Sequence, residues 1–159
     1  MSFAIRSARP DDVAEILTMI RELAEFEALA HLVSADEAKL AASLFGPHPA
    51  CECIIGELAG ETVAFALFFH NYSTFLARRG LYLEDLYVRP AARGRGHARA
   101  MMTHLAQLAR ERDCGRFEWS VLDWNANAIG FYESIGATVL PDWRVCRVTG
   151  PALDALAGR

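Results

Sequence analysis

Residues 81–99, LYLEDLYVRPAARGRGHAR, decide the fold, because a strand pattern changes there to a helical one. The run from Leu81 to Val88 is rich in apolar and aromatic residues, and Arg89-Pro90 ends it, since proline cannot donate to a β-ladder. After Gly94, apolar side chains recur at helical spacing, at Ala98, Met101, Met102, Leu105 and Leu108. A strand, a glycine-rich turn and a helix therefore succeed one another, an order that is typical of phosphate-binding turns.

The segments on both sides of this turn predict further strands and helices. Upstream lie a short strand at Phe3 and Ile5, a helix that starts after Pro10, and a second helix that starts with a capping box at Ser34–Glu37 and ends at Gly46-Pro47. Residues 51–58 and 62–72 predict a hairpin around Ala59-Gly60, antiparallel to the 81–88 strand. Downstream the pattern predicts a strand at 117–122, a helix at 125–135, strand segments at 138–140 and 143–148, and a weak terminal helix. We therefore expect one α/β domain over residues 1–159, with a mixed, mainly antiparallel sheet flanked by helices.

Length and composition exclude several classes of protein. The 159 residues fit one domain at roughly 150 residues per domain. A net charge of −4 argues against a dedicated nucleic-acid binder. The longest apolar run, Val63–Phe69, is far shorter than the roughly 20 residues that span a bilayer. Charged residues stand where a signal peptide would be apolar, so we expect a cytoplasmic protein with reduced thiols and no membrane partner.

The sequence predicts no metal site. Its four cysteines show no C-x-x-C spacing, and its five histidines show no H-E-x-x-H pattern. Small buried thiols and surface or core histidines are the simpler interpretation.

The turn at Arg93–Arg99 has the chemistry of an anion site. Free amides and the positive end of a helix dipole converge there, and Gly94 and Gly96 permit close approach of a ligand. Residues 89–99 also carry four arginines and no acid, although a glycine-rich connection with solvated arginines would show the same pattern. A Walker loop is excluded because the only lysine is Lys39, and the dinucleotide fingerprint fails where Arg99 replaces its third glycine.

The same residues resemble the GNAT superfamily of N-acetyltransferases. Arg93–Ala98 matches the superfamily's acetyl-CoA loop, [Q/R]-x-x-G-x-[G/A]. The runs 81–88 and 124–132, the stretch 21–27 and Trp143-Arg144 are similar to its diamine (spermidine/spermine) and thialysine acetyltransferase branch. The resemblance implies the acyl-CoA N-acyltransferase fold, acetyl-CoA as co-substrate, and a homodimer.

The resemblance also implies which residues bind the coenzyme. The backbone of Leu86, Tyr87 and Val88 would pair with the pantetheine arm, which requires the strands to splay and a bulge near Tyr87. The pyrophosphate would lie on the turn. The implied coenzyme-binding residues of the turn and the helices after it are Arg93, Gly94, Arg95, Gly96, His97, Ala98, Arg99 and Asn125.

The same resemblance implies the catalytic and acceptor residues. Asn125 and Tyr132, seven residues apart, would lie within about 20° of one helix face, with Tyr132 protonating the departing thiolate, although core packing of the ring is the plainer interpretation of spacing alone. Glu84 is favoured for cation binding and general base. Asp85 on the opposite side of the strand and Glu27 are further substrate-binding candidates, and Phe26 stands where the branch commonly has tyrosine.

The leading hypothesis is therefore acetyl transfer from acetyl-CoA to the primary amine of a small polyamine, diamine or thialysine-like substrate, by direct attack in a ternary complex. Two alternatives stay open at this point. The acceptor could be an antibiotic, an amino acid or a protein N-terminus, or the chain could be a non-catalytic acyl-CoA-binding module.

Overall fold

The computed structural model describes residues 2–159, and the chain divides into two compact units at Ser120. Among the described residues, the first unit holds five strands and three α-helices, and the second holds two α-helices. The strands are β1 (Phe3–Ser7), β2 (Glu52–Leu58), β3 (Glu61–Ser73), β4 (Arg78–Val88) and β5 (Phe117–Trp119). The helices are α1 (Val13–Phe26), α2 (Glu37–Phe45) and α3 (His97–Glu111) in the first unit, and α4 (Ala126–Ser134) and α5 (Gly150–Leu156) in the second.

The five strands form one sheet in chain order, β1-β2-β3-β4-β5. The first four are antiparallel to their neighbours, and β5 pairs with β4 in parallel. The expected mixed, mainly antiparallel sheet is confirmed. The hairpin turn at Ala59 and Gly60 is also confirmed, and both residues have positive φ (54° and 81°), the conformation of the two-residue turns that match strand twist.

Helices cover both faces of the sheet. On one face α1 and α2 pack through Ile16, Met19 and Leu40 against Phe65 and other strand side chains, as the apolar stripe of α1 predicts. On the other face the guanidinium of Arg112, at the end of α3, lies 5.9 Å from the ring centre of Phe68. Because Phe68 comes directly after Leu67, which belongs to the α1 core, the two helices lie on opposite sides.

Helix α2 starts later than the sequence predicts. The capping box expected at Ser34 does not form, and Asp36 caps the helix instead by accepting a 2.8 Å hydrogen bond from the amide of Lys39. An aspartate at this position satisfies one of the open amides directly, so the helix needs no residue further upstream. Its end before Gly46-Pro47 is confirmed.

The predicted strands at 138–140 and 143–148 are wrong, and β5 ends at Trp119 rather than at residue 122. A strand exists only where it finds a ladder partner, and the described part of the second unit contains no strand to pair with. Apolar side chains of this segment, among them Trp143 and Val145, are exposed instead. The weak terminal helix is confirmed as α5.

Within residues 2–159, no helix combines the length and the apolar character needed to cross a membrane.

Candidate active site

A β-bulge in β4 brings two carboxylates together. The β3–β4 register pairs Leu67 with Asp85 and Phe68 with Leu83, so Glu84 is the extra residue. The bulge predicted near Tyr87 therefore lies three residues earlier, at Glu84, and Tyr87 itself pairs regularly with Phe65. Paired residues share a face, so the insertion turns Asp85 onto the α1 face with Leu67. Because the bulge interrupts the alternation of side chains along β4, Glu84 and Asp85 need not lie on opposite faces of the sheet.

The carboxylates of Glu27, Glu84 and Asp85 form an acidic cluster, the name used below for these three residues. Burial raises the pKa of Asp85 to about 6, and the charges of Glu84 and Glu27 contribute to the rise. Burial also raises the pKa of Glu27, which is the C-cap of α1. None of the three makes an ion pair with a described residue, and no cation offsets the effect on Asp85. The cluster therefore provides unneutralised negative charge suited to a cation.

Beyond the acidic cluster, the second edge of β4 has no strand partner among the described residues. The parallel ladder with β5 joins only Leu81–Leu83 to Phe117–Trp119, so the two strands separate after Leu83. Leu86, Tyr87 and Val88 lie opposite Ala66, Phe65 and Ala64 of β3, and none of the three pairs with β5. In an antiparallel ladder, alternate residues direct their backbone groups away from the partner strand, so part of this backbone faces the unpaired edge. An extended ligand can add to this edge as a further strand would.

The turn after β4 presents unused amides. Gly94 and Gly96 have φ of +76° and +79°, the left-handed region that glycine adopts without a steric cost, and nothing lies within 4 Å of where a Cβ would be. The first helical bond runs from the amide of Ala100 to the carbonyl of Gly96. Within the described residues, the backbone amides of residues 94–99 donate no hydrogen bond to a turn or loop carbonyl, and they precede the first bond of α3. They are therefore available to an anion at the helix N-terminus.

The four arginines around the turn have different partners. Arg89 is neutralised by α1, at 2.6 Å from Glu15 and 3.2 Å from Glu22. The Nε of Arg93 donates to the carbonyl of Val88 at 2.7 Å. Arg95 and Arg99 are exposed and have no ion pair among the described residues. The charge free to meet an anion is therefore smaller than the four arginines suggest.

His97 and Ala98, the first residues of α3, offer main-chain rather than side-chain groups. The His97 ring is buried and stacks on Phe3, with ring centres 4.2 Å apart and an interplanar angle of 17°. Its Nε2 has no hydrogen-bond partner within residues 2–159. The side chain anchors the start of α3 on β1.

Glu22 makes two contacts at the site that the residue pattern of the turn does not predict. Burial raises the pKa of Tyr87, and a hydrogen bond with Glu22 raises it further. The same Glu22 carboxylate accepts hydrogen bonds from Arg89. Glu15 and Glu22 lie seven residues apart and therefore on one face of α1, opposite a basic turn. That spacing was the available signal.

The second unit carries Asn125 and Tyr132. Asn125 is the N-cap of α4, not a residue within the helix, and its side-chain oxygen accepts a 3.2 Å bond from the amide of Ala128. Tyr132 lies within α4 and is half-buried, with its ring 5.4 Å from that of Phe131. The shared helix face expected for the two residues is therefore only approximate, because the backbone of Asn125 is non-helical.

Across residues 2–159, no group of three or more His, Cys, Asp or Glu could hold a metal ion.

Comparison with known proteins identifies the family. The model of the acetyltransferase (GNAT) family matches residues 16–137. A thialysine N-epsilon-acetyltransferase of Mus musculus is 40% identical over 99% of both chains. The L-ornithine N5-acetyltransferase NATA1 of Arabidopsis thaliana is 34% identical over 96% of this chain and 86% of its own. An integron cassette protein from the mobile metagenome of V. cholerae has the same fold, with a TM-score of 0.83, 27% identity and coverage of 100% and 99%. The chain belongs to the acetyltransferase (GNAT) family and is an acetyltransferase.

Proposed function

We propose that the protein transfers the acetyl group of acetyl-CoA to the primary amine of a small cationic acceptor, a polyamine, a diamine or a thialysine-like amino acid. The observation that carries the proposal is the acidic cluster, three carboxylates beside the unpaired edge of β4 with no ion-pair partner among the described residues. Relatives named for thialysine and ornithine acetylation, both of which carry an ω-amine, favour the same class of acceptor.

The coenzyme contacts in this proposal come from the main chain. Acetyl-CoA is the co-substrate of the family. Its pantetheine arm would pair with the backbone of Leu86–Val88, and its pyrophosphate would accept hydrogen bonds from the amides of residues 94–99, with Arg95 and Arg99 supplying charge. Backbone donors left open by the splayed strands would also stabilise the thioester oxygen as negative charge develops on it.

The residues of the acidic cluster have two roles toward the amine, which are binding of the cation and removal of its proton. An alkylammonium arrives protonated and must lose a proton before it can attack. Glu84, exposed at the bulge, and Glu27 bind the cation, and Asp85 takes the proton, because a carboxylate with a pKa of about 6 is a stronger base than an ordinary one and is still ionised at pH 7. The sequence pattern favours Glu84 as the base, but Glu84 is exposed, whereas burial raises the pKa of Asp85.

The transfer is then a direct attack without an acetylated residue. The amine nitrogen bonds to the thioester carbonyl carbon, the carbon–sulfur bond breaks, and the departing thiolate takes a proton. We assign that proton to Tyr132 on the strength of the family resemblance of residues 124–132. The tetrahedral nitrogen loses its second proton, which replaces the one that Tyr132 gave, and the proton on Asp85 passes to solvent.

A matched pair of amines tests the proposed acceptor class. With acetyl-CoA and free-thiol detection, 1,4-diaminobutane should give a kcat/KM about 10 to 100 times that of butylamine, because a second ammonium gains a charge-assisted contact with the acidic cluster. Spermidine, thialysine, ornithine, an aminoglycoside and an N-terminal peptide complete the panel. Equal turnover of the two matched amines, or none with any cationic acceptor, would refute the proposal.

We also propose a homodimer, as in the resembling branch. Support comes from the exposed apolar side chains of residues 138–149, among them Trp143 and Val145, because large exposed apolar surface is typical of interaction sites. Sedimentation at micromolar concentration should give twice the chain mass of 17.6 kDa, and Trp143→Ser should shift the protein toward the mass of a single chain. A wild-type protein that sediments as one chain would contradict this.

A further inference from the structure

We propose that Arg93 is a positioning residue for the amine half of the site, holding the end of α1 against the end of β4, and that its guanidinium is not a pyrophosphate ligand. The inference deepens the proposed function and rests on it. The family resemblance groups Arg93 with Arg95 and Arg99 as coenzyme-binding residues, whereas in this proposal Arg93 has a different role.

The side chain of Arg93 reaches two elements at once. Its Nε donates to the carbonyl of Val88 at 2.7 Å, which fixes the side chain along the end of β4. Its guanidinium carbon lies 5.6 Å from the ring centre of Phe26 and 5.5 Å from that of Tyr87. Both distances are within the range of cation–π attraction. The positive charge is therefore directed at two aromatic rings on the α1 side of the sheet.

The contact with Phe26 matters because Glu27, a member of the acidic cluster, is the next residue of the chain. Phe26 is the last residue of α1, Glu27 is the C-cap, and the chain turns at Ala28, which has a positive φ of 58°. Arg89 contacts the first and third turns of α1, through its ion pairs with Glu15 and Glu22. The last turn of α1 is contacted by Arg93, through the ring of Phe26. Without the guanidinium, the end of α1 loses this contact with β4, and the Glu27 carboxylate loses its fixed place beside Asp85.

The remaining arginines of the turn serve as the comparison. Arg95 lies two residues further along, is exposed, and has no ion pair among the described residues. Its charge is free to meet an anion at the amides of the turn. Removing one positive charge at position 93 or at position 95 should therefore damage different halves of the reaction.

Arg93→Gln and Arg95→Gln form the test. Glutamine places its amide nitrogen where arginine has Nε, so Arg93→Gln can keep the bond to Val88 and removes only the guanidinium. We expect Arg93→Gln to raise the KM for spermidine or thialysine about tenfold, with the calorimetric Kd of acetyl-CoA within about twofold of wild type. Arg95→Gln should weaken acetyl-CoA binding about tenfold, flatten the salt dependence of its Kd, and leave the amine KM unchanged.

Phe26→Leu provides an independent arm. It should raise the amine KM as Arg93→Gln does, and the double variant should be no worse than Arg93→Gln alone, because both substitutions remove the contact between Arg93 and Phe26. Thermal melting of each variant controls for loss of fold. The inference is overturned if Arg93→Gln weakens acetyl-CoA binding as Arg95→Gln does, if it leaves the amine KM unchanged, or if its effect multiplies with that of Phe26→Leu. Failure of the proposed function gives a different result, a wild-type protein that acetylates no amine.

Discussion

Replacing Asp85 with asparagine should make the free protein more stable at pH 7 and nearly inactive. The carboxyl group is half-buried among like charges, and its pKa rises from an ordinary 3.8 to about 6. At neutral pH the folded chain therefore holds an ionised group that its surroundings disfavour. A shift of this size corresponds to at most about 3 kcal/mol of destabilisation, which a neutral side chain of the same shape removes.

The pH dependence gives the sign of this effect. Between about pH 4 and pH 6 the folded state binds the Asp85 proton more tightly than the unfolded state, so the stability of the wild type falls as the pH rises through this window. The stability of Asp85→Asn should not fall in this way, because asparagine does not ionise. Its advantage in free energy of unfolding should therefore be full above pH 6 and absent below pH 4, which urea titrations at both pH values measure.

The activity of the same variant tests the chemistry. Loss of a general base costs about 100- to 10,000-fold in rate, so Asp85→Asn should lose at least about a hundredfold in kcat with amine acceptors. Glu84→Gln is the matched control, because it removes a neighbouring charge that is exposed at the bulge. It should raise the amine KM, lower kcat less, and gain little stability. A larger loss of kcat in Glu84→Gln would return the base role to Glu84.

Tyr132→Phe should lower kcat by about two to three orders of magnitude while the Kd of acetyl-CoA stays within about twofold. The variant removes one hydroxyl and keeps the ring beside Phe131, so α4 should fold as before. Without the acid, the thiolate must leave unprotonated, which slows the breakage of the carbon–sulfur bond. Single-turnover measurements with a saturating amine would separate this step from product release.

Tyr72→Phe controls for the loss of a phenol elsewhere. Tyr72 lies near the exposed end of β3 and should tolerate the change with kcat within about twofold of wild type. Unaltered turnover in Tyr132→Phe would remove Tyr132 as the acid and leave protonation of the thiolate to solvent.

Local sequence signals predicted most of the first unit. Alternation and turn residues indicated the hairpin at Ala59-Gly60, and the change of period after Gly94 indicated the turn and α3. These signals succeed because the turn type and the apolar face are decided within a few residues. The segment after Thr138 failed for the opposite reason. Its apolar pattern suits a strand, yet no local signal states whether a ladder partner exists.

The candidate site was predictable by residue type but not by geometry. Glu84 and Asp85 were identifiable as acids near a strand end, but only the register with β3 reveals the extra residue that turns Asp85 toward α1. Likewise, the arginines of the turn appeared equivalent in sequence. Their partners on α1, two carboxylates for Arg89 and the ring of Phe26 for Arg93, come from a helix more than 60 residues earlier in the chain. Long-range contacts of this kind produce no periodic pattern in the sequence, so local sequence signals cannot predict them.

Gly56 in β2 affects the packing beneath the turn at residues 94–99. A Cβ at this position in β2 would lie 2.5 Å from the ring of Phe3, the ring on which His97 stacks at the start of α3. The absent side chain therefore makes room for the aromatic pair that anchors the first residue of the helix beneath the turn. A methyl group added in the middle of the sheet would push on that pair. If the turn binds the coenzyme as proposed, a substitution at Gly56 should weaken that binding from a position in β2, and an affinity screen confined to the turn residues would not detect it.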